Sequence, residues 1–140
     1  YHLKPYSISE GVECFFGLAS TVNKINGGNI INTCFVETDD GFVVIDSGPT
    51  YSYAQQAYTI MQKMSKMPVK YVINTSTDEV HILGNGFYKE RGAILIGPKD
   101  YNKRKKISLK KKITSDAFIN TRLTSLDKII TKDYTINIGN

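Results

Sequence analysis

Between Ile30 and Asn74 the hydrophobic period changes twice, and no other feature of the chain constrains its fold so tightly. Ile30 to Thr38 and Phe42 to Ile45 are apolar, β-branched runs separated by Asp39-Asp40-Gly41, which reads as a β-hairpin. After Asp46-Ser47-Gly48-Pro49 the period lengthens. Ala54, Ala57, Tyr58, Met61 and Met64 fall at i, i+3, i+4, i+7 and i+10, one stripe of a core-facing helix that Thr50 or Ser52 caps and Pro68 stops. Val69 to Asn74 then returns to a buried strand pattern. The order strand, helix, strand predicts a right-handed βαβ unit with those strands parallel. A hairpin joined to a parallel unit makes the sheet mixed and the fold class α/β.

The remaining elements are shorter. Val12 to Gly17 is a strand candidate, Gly27-Gly28 a turn, Gly84 to Arg91 a small helix and Ala93 to Ile96 a buried strand closed by Gly97-Pro98. Lys99 to Thr121 is expected to be a basic excursion with some helix. Leu126 to Thr131 and Tyr134 to Ile138 alternate apolar and polar residues around Lys132-Asp133, which suits a hairpin with one wet face. With 140 residues, 41% apolar, nine Tyr and six Phe, the chain is a single folded domain or part of one. Two cysteines are too few for a disulfide-stapled miniprotein. No apolar run approaches the roughly 18 residues of a membrane span. The chain begins at Tyr1 instead of Met, which leaves a removed leader open.

The net charge of +5 is concentrated. Lys99 to Lys112 holds eight basic residues against Asp100 alone, so the rest of the chain is slightly acidic. Such a run attracts phosphates, and Lys103 to Lys112 is the whole case for an anion or nucleic-acid binding module. No aromatic beyond Tyr101 alternates with the lysines, and a solvated connection is the commoner meaning of such a run, so a nucleic-acid partner is not the expectation.

Chemistry is expected after the strand Val69 to Asn74, because ligands of open α/β sheets collect at the carboxyl ends of parallel strands. That loop carries Asp78, Glu79 and the only interior histidine, His81, and the preceding parallel strand ends at Asp46. Three acids and one imidazole could converge on one rim. The alternatives are structural: Asp46 accepting backbone N–H groups in its turn, and Asp78 and Glu79 capping a helix that starts near Val80.

Val44-Ile45-Asp46-Ser47-Gly48, together with Tyr71-Val72-Ile73-Asn74-Thr75 and His81-Ile82-Leu83-Gly84-Asn85, resembles the metallo-β-lactamase superfamily. The first segment resembles its Asp-Thr/Ser-Gly element, and the other two frame the place of its His-x-His-x-Asp-His zinc motif. The likeness runs the length of the chain. It implies the N-terminal half of an αββα sandwich, a mixed sheet with helices on one face, with residues 1–140 stopping before the second half. It also implies zinc as the family cofactor, held by the motif and by later ligands. Position by position, however, Ser76 stands for the first zinc histidine, Asp78 for the second and Val80 for the aspartate of the second metal; His81 alone is kept. Neutral imidazoles are what hold Zn²⁺ with a water left over, and hydroxyl and isopropyl groups do not replace them.

The expectation is therefore a degenerate metallo-hydrolase relative in which zinc is weak or absent. An active hydrolase would need a non-standard site of Asp46, Asp78, Glu79 and His81, with Asp46 and Asp78 catalytic and Asp78 and His81 on the metal. A sheet face left without its partner sheet predicts self-association or a covering partner. The family places the strands of Cys14 and Cys34 side by side, so a disulfide is one outcome and two buried thiols, slightly favoured, the other. A bridge would suit an exported, periplasm-like setting, and free thiols a cytoplasmic one.

Overall fold

The computed structural model describes residues 1–139. Its centre is the βαβ unit that the period change predicts. Strand β1 spans Pro5–Ser9, β2 Val12–Phe15, β3 Thr33–Thr38, β4 Gly41–Ile45, β5 Val69–Ile73, β6 Ile94–Pro98 and β7 Lys128–Ile130. Helix α1 spans Tyr51–Met64, α2 Glu79–Ile82, α3 Asn85–Glu90 and α4 Ser115–Phe118. The strands form one sheet in sequence order, antiparallel from β1 to β4 and parallel from β4 to β7. The sheet is mixed because the β3–β4 connection is a tight turn, with Thr38 opposite Gly41, whereas α1 carries the chain back to start β5 beside β4.

Helix α1 begins where Thr50 Oγ1 accepts the Tyr53 N–H at 3.0 Å, a hydroxyl N-cap. Its buried face is Tyr53, Ala54, Ala57 and Met61; Met64, at the last turn, is 45% exposed and lies outside the core that its spacing suggests. Ala54, Ala57 and Met61, with Phe87 and Tyr88 of α3, pack on one sheet face, against Phe15, Phe35, Phe42, Val44, Val72 and Leu95. The apolar residues of β4 and β5 alternate between faces, so Val43, Ile45, Tyr71 and Ile73 belong to the opposite side.

That second face is where the sequence reading needs correction. The expected hairpin of Leu126 to Ile138 does not form: β7 pairs with β6 alone, and the chain beyond it leaves the sheet. Ile130, Tyr134 and Ile136 share a cavity with Ile73 and Ile96, and the Gly139 N–H reaches Asp40 Oδ2 of the β3–β4 turn at 2.9 Å. Residues 131–139 are thus a strap over the second face. Ile136 and Ile138 are half-buried while Thr135 and Asn137 are exposed, the same alternation that a hairpin strand would give.

The basic excursion is also less helical than expected. It folds as two 3-10 turns, Lys99–Lys103 and Leu109–Lys111, followed by the single turn α4. Tyr101, Leu109 and Ile113 anchor it in a second apolar cluster with Ile82 and Leu83, and the lysines between them point into solvent.

Cys14 and Cys34 face each other in the β2–β3 register and are joined by a disulfide, so the reading as two free thiols does not hold.

Candidate functional site

The carboxyl ends of β4 and β5 converge on a rim built by short-range backbone closure. Asp46 N donates to Ile73 O, Ser47 N to His81 O and Gly84 N to Gly48 O, which ties the turn after β4 to the end of β5 and to the C-terminal end of α2. Two glycines permit this approach. A Cβ at Gly84 would lie 2.1 Å from Ser47 O, and one at Gly48 would lie 2.2 Å from the Tyr53 ring.

Beneath the rim is a buried polar hub that sequence reasoning missed. Ser47 Oγ donates to Asn85 Oδ1 at 2.6 Å, Asn85 Nδ2 to Asn74 Oδ1 at 2.7 Å and Asn74 Nδ2 to Asn85 Oδ1 at 3.1 Å. All three residues are buried, so each bond is made where water cannot substitute for it. The signal available was the pair of asparagines flanking the motif loop, Asn74 at its start and Asn85 at its end.

Asp46 and His81 are brought together. Asp46 adopts φ 64°, a left-handed conformation that aspartate tolerates better than most side chains, and is 4% exposed. Its Oδ1 accepts the Thr75 N–H at 2.8 Å; its Oδ2 accepts the Thr75 hydroxyl at 2.6 Å and pairs with His81 Nδ1 at 2.8 Å. The hydrogen bond to the Asp46 carboxylate raises the His81 pKa above its ordinary 6.5, and partial burial opposes the rise. His81 Nε2 makes no hydrogen bond among the described residues.

Of the other acids, Asp78 adds its charge to the rise at His81, whereas Glu79 goes elsewhere. Asp78 is the N-cap residue of α2 by position, but its side chain makes no capping bond; its carboxylate is 74% exposed and lies 3.9 Å from Arg104. Glu79 is buried and turned toward the basic excursion. Its Oε1 accepts the Ser108 N–H at 2.6 Å, its Oε2 accepts the Leu109 N–H at 2.7 Å, and Arg104 lies 3.3 Å from Oε1. Glu79 therefore caps the Leu109–Lys111 turn, thirty residues away, and not the helix it begins. Ser76 Oγ accepts the Asp78 N–H at 3.0 Å, and Val80 is half-buried beside Leu109.

These donors do not fit a zinc centre. Among the described residues only one imidazole stands at the rim, both Asp46 oxygens are engaged, and Glu79 is committed to two backbone N–H groups. Among the described residues, no three His, Cys, Asp or Glu side chains are grouped to hold a metal ion. What the arrangement can do is hold one oriented imidazole at a rim stiffened from below.

No protein-family model matches the chain, and no curated protein matches it. Solved structures do. A metallo-β-lactamase from Pontibacter korlensis superposes over 99% of this chain and 57% of its own, with TM-score 0.70 and 18% identity. A HARLDQ motif mutant of a metallo-β-lactamase from Cronobacter sakazakii matches 97% of this chain and 50% of its own, with TM-score 0.65 and 17% identity. A metallo-β-lactamase from Hirschia baltica matches 94% and 53%, with TM-score 0.64 and 10% identity. The chain thus spans about half the length of the structures it matches. These superpositions lead to one conclusion: the chain carries the metallo-β-lactamase fold over the part of that fold it spans.

Proposed function

We propose that this is a metallo-β-lactamase-fold protein whose motif loop no longer builds a competent zinc centre, a degenerate relative of the hydrolases. The observation that carries the reading is Glu79 and Asp46 both spent on structural hydrogen bonds, leaving His81 as the one oriented donor. Ser76 and Val80 add no nitrogen or carboxylate donor. A site of Asp46, Asp78, Glu79 and His81 gains no support from this geometry, because Glu79 turns toward Ser108 and Asp78 toward Arg104. Elemental analysis of the purified protein tests the proposal: the expected zinc content is well below one atom per chain, and stoichiometric zinc that survives dialysis overturns it.

Two further assignments belong to the same proposal. The second sheet face, with Ile94 43% exposed, takes a second copy of the chain. The Cys14–Cys34 bridge supports folding in an oxidising, exported compartment. No helix among the described residues is long and apolar enough to cross a membrane. Alkylation in intact cells that finds both thiols free would remove the compartment assignment.

A further inference from the structure

We propose that the face formed by the Phe16–Ile30 loop and the Lys103–Lys112 segment docks onto a lipid bilayer that carries anionic headgroups. The loop presents apolar side chains to solvent from an ordered turn. Asn26 is buried, its Oδ1 accepting the Asn23 and Gly28 N–H groups and its Nδ2 donating to Thr21 O. Asn23 Oδ1 in turn accepts the Ile25 and Asn26 N–H groups at 2.9 Å. The tip built by these bonds holds Ile25 98% exposed, with Leu18 55% and Phe16 49% exposed nearby and Lys24 adjacent in sequence. A hydrogen-bonded turn that holds an isoleucine out in water loses its burial energy unless another surface receives it.

The lysines stand beside this loop. Val22 packs on the cluster of Leu109 and Ile113, and Val22, Ile30, Arg104, Leu109 and Lys112 line one cavity of about 260 Å³. Phe16, Leu18 and Ile25 share another with Thr114 and Ala117, just past the run. Within the run, Lys103 pairs with Asp100, and Arg104 with Asp78 and Glu79. Lys105, Lys106, Lys110, Lys111 and Lys112 have no ion pair among the described residues. Lys112 lines a cavity with Val22 and Ile30 of the loop, and Lys110 and Lys111 follow Leu109 of the same cavity, whereas Lys105 and Lys106 line a separate one with Thr77 and Asp100. Uncompensated lysines beside a loop with protruding aliphatic side chains match a surface that is anionic outside and apolar just below. Nucleic acid matches it less well. Tyr101, the one aromatic in the run, is buried with its hydroxyl donating to Thr124 O, so the lysine run itself presents no ring for a base to stack on.

Co-sedimentation with vesicles tests this. The protein is expected to bind phosphatidylcholine vesicles containing about a third phosphatidylglycerol, to ignore pure phosphatidylcholine, and to weaken as salt rises. Replacing Lys110, Lys111 and Lys112 together by Gln is expected to lower the partition coefficient about a hundredfold. Leu18→Ser with Ile25→Ser is expected to lower it at least about tenfold. All five side chains lie on the surface, and an unchanged circular dichroism spectrum verifies that each variant folds. Equal binding to neutral vesicles overturns the proposal, as does full affinity in the Leu18/Ile25 variant. So does an oligothymidylate bound more tightly than the anionic vesicles with no dependence on Ile25.

Discussion

Asp46 shows how one side chain can be legible in sequence for its position and only in part for its role. The Asp-Ser-Gly turn at a strand end marks it, and its structural alternative, accepting a backbone N–H group in the loop, is what the Thr75 contact provides. The salt-bridged contact to His81 adds a consequence for acidity. Because the His81 pKa is raised in the folded chain, the pair's contribution to stability is fully present below the unfolded value near 6.5. It is lost as pH rises through the higher folded value. Urea midpoints are therefore expected to fall as pH is raised from 6 toward 8. Asp46→Asn should flatten that dependence and cost about 2 kcal/mol, and a midpoint that falls equally in both proteins would count against the pairing. Glu79 was not legible in this way. Its partners Ser108 and Leu109 lie about thirty residues downstream, and local pattern can offer only the helix that Glu79 itself begins.

Elements with strong periodicity were readable, and elements defined by what they pack against were not. Helix α1, with its Thr50 cap, and the β4–α1–β5 unit follow directly from the changes of period. Strand β1 escapes because Pro5–Ser9 is short and mostly exposed, its alternating Tyr6 and Ile8 reaching no core. The lysine-rich stretch shows neither period, since three spaced apolar anchors and one buried carboxylate fix it in place of a regular helix. Glu79→Ala is expected to release it, because two N–H groups and Arg104 lose their acceptor at a local cost of about 3 kcal/mol. Trypsin should then cut between Lys105 and Lys112 much faster than in the parent, with cleavage elsewhere unchanged. Unaltered cutting in the run would show that the apolar anchors suffice.

At the scale of the molecule, one sheet face is closed by α1 and α3 and the other only by a strap. Val43 and Ile96 are buried on that second face, Ile45, Tyr71 and Ile73 are half-buried, and Ile94 is exposed. If a second copy covers it, sedimentation equilibrium at micromolar concentration should report a dimer, and Ile94→Lys should return a folded monomer; a parent that sediments as a monomer removes the assignment. The second face was legible only through the family resemblance, and the strap was not legible at all, because its alternation is the same whether it pairs or merely lies across. The Ser47–Asn74–Asn85 hub carries no formal charge, so neither acid nor ionic strength loosens it. Such a footing lets the groups at positions 76, 78 and 80 be exchanged, over evolutionary time or at the bench, while the platform below keeps its shape.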